Sequence, residues 1–260
     1  MTRTLMAALT LTALAGQAPA PATPPPADCQ DMATALQALM RNDTRLRDWP
    51  QLGRYRQDNQ ALAPAKAGES RVVFMGDSIT DNWQQPRFGW FPGKPYVDRG
   101  ISGQTTPQML VRFRPDVIDL KPKVVVILAG TNDIAGNTGP MTDEDIERNL
   151  ASMGELAKLH GIKVVLASIT PTSAYHVNGN AAPQTTARPM SRIRAINDWM
   201  KKYAADNGHV YLDYFTPMLD ATGVMKAELT GDDLHPNAAG YAIMAPLAEA
   251  AIQRALAGAR

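Results

Sequence analysis

Residues 123–133 read Lys123-Val124-Val125-Val126-Ile127-Leu128-Ala129-Gly130-Thr131-Asn132-Asp133. The first half is a short apolar run, rich in β-branched residues and without polar alternation. A strand of that composition is covered on both faces, as in a parallel sheet. The second half turns at once into glycine and polar residues, which makes a loop at the carboxyl end of the strand. The same pattern recurs at Val72-Val73-Phe74-Met75, at Ile162-Lys163-Val164-Val165-Leu166-Ala167 and at His209-Val210-Tyr211-Leu212, and Tyr96-Val97-Asp98-Arg99 is a further strand candidate.

Helical stretches separate these runs. Thr142 to Leu159 opens on Thr142-Asp143-Glu144-Asp145, an acidic capping signal, and stops at His160-Gly161. Pro189 to Asp206 carries Ile193, Ile196, Met200 and Tyr203 on one stripe, and Ala238 to Leu256 forms a third helix. Alternating strands and helices predict an α/β fold, a three-layer α/β/α sandwich. No internal repeat is present.

The flanks and composition set the domain plan. Arg3 precedes an apolar run from Leu5 to Ala15, followed by small residues around Gln17-Ala18-Pro19-Ala20. A run of about 11 residues has the length of a secretory signal core and is too short for a membrane span. Residues 1–22 are therefore expected to be a signal peptide, and the product to be exported, periplasmic or secreted, with no span in the mature chain. Five prolines between Pro19 and Pro26 predict a stiff tether, with the linker assigned to 23–30. A helical lead-in over 31–70, with Met32, Leu36, Leu39, Met40 and Leu46 at helical spacing, is expected to pack on the main domain at 71–258. The single cysteine, Cys29, cannot form an internal disulfide. The 260 residues carry 26 basic and 25 acidic side chains with no basic stripe, so nucleic acid is not an expected partner.

Ligands of open parallel sheets bind beyond the carboxyl ends of the strands. Ser78, Gly103 and Asn132 each fall just after a strand candidate, and Asp232-Asp233-Leu234-His235 precedes the last helix. Together they hold the parts of nucleophilic acyl transfer. Ser78 is the candidate nucleophile; alone it would also suit a helix cap. His235 is the candidate base, with Asp232 three residues earlier placed to hold one ring nitrogen. Asp233 reads as a surface turn acid facing elsewhere. The backbone N–H groups of Ser78 and Gly103 and the amide of Asn132 are candidate oxyanion donors, although Gly103 and Asn132 also suit ordinary turns. Asp77 and Arg99 are candidates for positions behind the site. The polar loop from Thr170 to Arg188, with Tyr175 and His176, is expected to border the pocket; a solvent loop is the alternative. No residue cluster has metal-ligand spacing, no Gly-x-Ser-x-Gly elbow surrounds Ser78, and no phosphate-loop lysine is present.

Gly76-Asp77-Ser78, Gly103, Gly130-x-Asn132-Asp133 and Asp232-x-x-His235 occur in the order of the four blocks of the SGNH subgroup of the GDSL esterase/lipase superfamily. Arg99-Gly100-Ile101-Ser102-Gly103-Gln104-Thr105 and Leu128-Ala129-Gly130-Thr131-Asn132-Asp133-Ile134 most resemble bacterial members related to platelet-activating-factor acetylhydrolase catalytic subunits. One departure is Gly-Asp-Ser-Ile at 76–79 in place of Gly-Asp-Ser-Leu. The resemblance covers about residues 70–255 and implies a flavodoxin-like sheet of five parallel strands and a serine hydrolase that needs no cofactor. The expected activity is an exported esterase for short-chain esters, acting on a small-molecule substrate such as an acetylated saccharide. The alternatives are a lysophospholipase or thioesterase, or a non-catalytic envelope binding module. Since the base must be neutral, activity is expected to fall at acid pH.

Overall fold

The computed structural model describes residues 29–177, 179 and 181–258. The expected signal at 1–22 and residues 23–28 of the linker lie outside the described residues. Helix α1 (Cys29–Arg47) begins inside the stretch assigned to the linker. Met32, Leu36, Leu39 and Met40 on it are exposed.

The unit that starts at Thr44 carries the sheet. Its order is α2 (Arg56–Ala61), β1 (Val72–Gly76), α3 (Ser78–Asp81), β2 (Tyr96–Gly100), α4 (Thr106–Asp116), β3 (Val124–Leu128), α5 (Thr131–Ile134), α6 (Asp143–Leu159), β4 (Lys163–Ala167), α7 (Gln184–Ala187), α8 (Met190–Asn207), β5 (Val210–Leu212) and α9 (Ala238–Leu256). The strands lie in the order β2-β1-β3-β4-β5, all parallel, as expected for this fold.

Alternation along each strand builds the three layers, because successive side chains leave a strand on opposite faces. Val73, Met75, Val125 and Ile127 face one way and pack with Met109 and Phe113 of α4, Leu150 of α6 and Ile196 of α8. Val72, Phe74, Val124 and Val126 face the other way and pack with Trp83 and with Tyr241, Met244 and Ile252 of α9. Both faces are buried, which is why the strand sequences show no polar alternation. Emptying one such position, Ile127→Ala for example, would cost about 2–5 kcal/mol.

The register explains where a site can form. Gly76 pairs with Gly100 and with Leu128, Leu128 with Ala167, and Ala167 with Leu212. The strands thus end in step, and the loops after β1, β2 and β3 open on the same rim. Among the described residues, no helix is long and apolar enough to cross a membrane.

Candidate active site

β1 passes into α3 through Asp77, whose side chain caps the helix by accepting from Ile79 N at 2.9 Å. The cap holds Ser78 at the head of α3, buried to 8 % exposure. Asp77 is itself enclosed: burial drives its carboxyl up to about 6, against the Ile79 N–H, and its second oxygen has no hydrogen-bond partner among the described residues.

His235 approaches from the other side of the rim. Asp232 Oδ1 accepts from the backbone N–H of Leu234 at 3.1 Å and of His235 at 2.7 Å, which winds 232–235 into a tight turn. Asn237 then caps α9 by accepting from Ala239 N and Gly240 N. The Tyr241 hydroxyl, one turn into α9, donates to Ile79 O at 2.8 Å and so ties α9 to the helix that carries Ser78.

The result is a continuous chain. His235 Nε2 lies 2.9 Å from Ser78 Oγ, and His235 Nδ1 lies 2.6 Å from Asp232 Oδ2. A carboxylate on Nδ1 keeps the proton there and leaves Nε2 as the acceptor for the serine hydroxyl. Burial raises the Asp232 carboxyl, but the hydrogen bonds from the His235 ring and backbone outweigh it and hold the group below its ordinary value.

Gly103 has φ +80 and gives its carbonyl to Asn137 Nδ2 at 3.1 Å. Its N–H, like that of Ser78, donates to no described residue. Asn132, in α5, donates from Nδ2 to Gln104 O at 3.0 Å, so the Gly103 loop and the Asn132 loop are tied directly. One amide hydrogen of Asn132 remains for a ligand.

Arg188 carries no sequence signal of a role at this site. It is buried and donates from Nη2 to Asn132 Oδ1 at 3.4 Å and from Nε to Thr131 O at 3.1 Å. Burial lowers its pKa, while the charges of Asp77 and Asp232 oppose the change, which places it within electrostatic reach of both. A donor on Oδ1 fixes which end of the Asn132 amide faces Gln104.

Other sequence expectations change. Asp233 is not a surface acid: it is 2 % exposed, sits at φ +66, and accepts from Ser173 Oγ (2.6 Å), Tyr175 N (2.9 Å), His176 N (2.7 Å) and the His176 ring (3.1 Å). Tyr175 and His176 therefore anchor their loop on Asp233, and the Tyr175 hydroxyl is bound to Asp220. Arg99, a residue of β2, holds its guanidinium over the Tyr55 ring and donates from Nε to Asn59 Oδ1 at 2.8 Å.

Two hollows adjoin the site, and no described residue of the 170–188 loop lines either of them. One, of about 520 Å³, is lined by Asn82, Gln85, Arg87, Phe88, His235 and Asn237 among others. The second, of about 380 Å³, opens beside Gly103. The first suits a group that leaves past His235, since the ring itself forms part of its wall.

The GDSL-like lipase/acylhydrolase family matches over residues 74–243, well over half of the chain. A crystal structure of a GDSL-like lipase from Bacteroides thetaiotaomicron VPI-5482 superposes with a TM-score of 0.73 at 39% identity, covering 79% of this chain and 98% of that one. A lipoprotein of Bacillus subtilis (strain 168) is 38% identical over 121 residues, 40% of this chain, and the match spans only half (50%) of that protein. An acetylxylan esterase of Geobacillus stearothermophilus is 25% identical over 206 residues, 67% of this chain and 90% of its own length.

Proposed function

This chain belongs to the GDSL-like lipase/acylhydrolase family, and on that footing we propose that it is an exported serine esterase that removes short acyl groups, acetate above all, from saccharide hydroxyls. The observation that carries the reading is the unbroken contact from Ser78 Oγ through the His235 ring to Asp232. In the proposed reaction Ser78 Oγ attacks the ester carbonyl as its proton passes to His235 Nε2. The tetrahedral oxyanion forms against the free N–H groups of Ser78 and Gly103 and the spare hydrogen of Asn132. Each such donor is typically worth about 2.7–4 kcal/mol of barrier. Collapse expels the alcohol, which takes the proton from His235. Water, deprotonated by the same nitrogen, then attacks acyl-Ser78 and releases the acid.

Support for a small acyl group on a polar alcohol comes from the hollow at His235, where amide side chains and Arg87 accompany Phe88. The relatedness to an acetylxylan esterase points the same way. Support for export comes from the apolar leader and from the relatedness to a lipoprotein.

The test is acetate release from acetylated xylotetraose, alongside 4-nitrophenyl esters of increasing chain length, for wild type and Ser78→Ala. The reading expects release from the saccharide, a maximum at acetate, and loss of both in the variant. A maximum beyond about eight carbons would favour the lysophospholipase or thioesterase alternative. Equal rates in the two proteins would remove Ser78 from the chemistry. Export is checked by the mass of the mature chain recovered outside the cytoplasm, which should lack the first 18 to 22 residues.

A further inference from the structure

The hollow beside Gly103 is built differently from the one at His235. Its wall is Trp49, Gln51, Gln108, Asn137 and Thr138, with Ser102 and Gly103 at its edge, and none of these side chains is charged. Its volume of about 380 Å³ falls within the ~300–1,000 Å³ range of small-molecule pockets. Trp49, a wall residue, keeps 41% of its surface exposed, which leaves aromatic surface for a ligand.

The polar groups are held in place before any ligand arrives. Gln108 Nε2 donates to Trp49 O at 2.7 Å while its Oε1 accepts from Thr105 N at 3.0 Å. Gln104 Nε2 donates to Pro50 O at 2.9 Å, and Asp48 accepts from Leu52 N and Gly53 N. These bonds fix the 48–53 turn against the head of α4. Within that turn Gln51 adopts φ +56, a left-handed conformation that residues with a Cβ rarely take. Thr138 Oγ1 is 3.0 Å from Thr105 Oγ1, and Asn137 donates to Gly103 O. The Gln51 amide and Asn137 Oδ1 have no hydrogen-bond partner among the described residues, so they can serve a ligand.

An exposed aromatic face beside fixed, neutral donors and acceptors matches one chemical class. A pyranose ring has an apolar face of C–H groups and an equatorial rim of hydroxyls, each both donor and acceptor. Lipid tails would leave the amides unpaired on burial, and an anion or cation would find no opposite charge. We infer that this hollow is a saccharide subsite: a sugar ring stacks on Trp49 with its hydroxyls on Gln51, Asn137 and Thr138, next to the ring whose ester is cleaved. The assignment rests on the sugar-ester reading above. The link to the chemistry is Gly103, whose N–H is a proposed oxyanion donor and whose carbonyl is held by Asn137, a wall residue.

The experiment compares Trp49→Ala and Trp49→Phe with wild type on acetylated xylotetraose and 4-nitrophenyl acetate. The subsite predicts that Trp49→Ala raises KM for the tetrasaccharide about five- to tenfold more than it raises KM for the small ester, with Trp49→Phe recovering most of the loss. Thermal melting of each variant separates this from misfolding. In parallel, full-length Ser78→Ala is titrated with unacetylated xylotetraose. A saturable change in tryptophan fluorescence, absent in Ser78→Ala/Trp49→Phe, supports the subsite. Acetate release from the tetrasaccharide with identical KM ratios in all three proteins would discard the subsite and leave the sugar-ester reading standing. No release by wild type would discard that reading, and the titration then decides the subsite alone: no fluorescence change at millimolar saccharide removes it.

Discussion

Asp232 and Asp233 are consecutive in the chain, yet their carboxylates hold different histidines: Asp232 Oδ2 is 2.6 Å from His235 Nδ1, and Asp233 Oδ1 is 3.1 Å from His176 Nδ1. The left-handed backbone at Asp233 makes this divergence possible, because φ +66 turns one side chain inward while its neighbour stays at the rim. Asp232 orients the proposed base. Asp233 pins the 173–176 loop beneath the same turn.

The pairing predicts separable effects. Asp232→Asn should lower kcat by about 10³–10⁴-fold, since an amide no longer fixes the His235 tautomer or stabilises its charged form. Asp233→Asn keeps the left-handed backbone, which asparagine tolerates. It weakens the bonds to Ser173, Tyr175 and His176, so thermal stability should fall, with a smaller loss of kcat. Steady-state kinetics and melting curves on both variants check this; a larger kcat loss at Asp233 than at Asp232 would reverse the assignment.

Burial raises the Asp233 carboxyl, but its hydrogen bonds with Ser173, His176 and Tyr175 outweigh that and hold it below the ordinary aspartate value. A carboxylate lowered in the folded state stabilises it above the unfolded pKa, ~3.9, and the contribution is lost as pH falls below that. Asp233→Asn should therefore cost most at neutral pH and progressively less as pH falls from about 4 through the lower folded value. Melts at pH 7 and pH 3.5 test the sign, and a uniform loss would contradict it.

Arg188 is a positioning residue in the proposed mechanism. Its guanidinium spans Thr131 O and Asn132 Oδ1, a geometry that a lysine ammonium cannot reproduce. Arg188→Lys preserves the charge near Asp77 and Asp232 but frees the Asn132 amide. We expect kcat for 4-nitrophenyl acetate to drop about tenfold with KM little changed, the pattern of a lost transition-state contact. An effect confined to KM would place Arg188 in ground-state substrate binding instead.

Gly100 and Gly103 sit three residues apart and are glycine for different reasons. A Cβ on Gly100 would stand 2.2 Å from Asp81 N, in the backbone of the helix that carries Ser78. On Gly103 it would meet only Asn137 Nδ2, at 3.9 Å, so the constraint there is φ +80 alone. Gly100→Ala should therefore destabilise the fold by about 3 kcal/mol or more, clearly beyond the about 1–2 kcal/mol expected for Gly103→Ala. Chemical denaturation of both variants measures the difference, and equal losses would refute this account of β2.

These residues also show what the sequence could reveal. The strands were legible because burial on both faces leaves unbroken apolar runs such as Val124–Leu128, and the rim loops because polar residues follow those runs at once. The burial of Asp233 is invisible in the sequence because an acid beside another acid in a turn gives no signal of burial, and its partner Ser173 lies 60 residues away. Arg188 is silent in the sequence for the same reason: it ends a polar loop, and its contact with Asn132 spans 56 residues. The wall of the second hollow joins Trp49 and Gln51 to Asn137 and Thr138, a juxtaposition that only the folded chain creates. Local pattern reports secondary structure and strand-end chemistry. Long-range side-chain pairing leaves no periodic trace.

Asp98 carries the last prediction, with the opposite sign from Asp233. It lies on β2 at 2% exposure, accepts from Gly100 N at 2.6 Å through Oδ1, and among the described residues has no hydrogen bond within normal geometry to Oδ2. Burial pushes its carboxyl up to about 7, with Asp81 adding to the rise and the Gly100 N–H, Arg99 and the Gln84 side chain opposing it. A carboxyl whose pKa is raised on folding favours the folded state when protonated. That stability is complete below the unfolded value, ~3.9, and is lost as pH climbs through about 7. Asparagine reproduces the protonated shape and removes the titration, because its Oδ1 can still accept from Gly100. Asp98→Asn should thus melt higher than wild type at pH 8, by at least about 2–4 °C, and no higher at pH 4. Parallel melting curves across that range, with a constant offset between the two proteins, would show that Asp98 stays ionised in the folded chain and that the orphaned oxygen is satisfied by solvent.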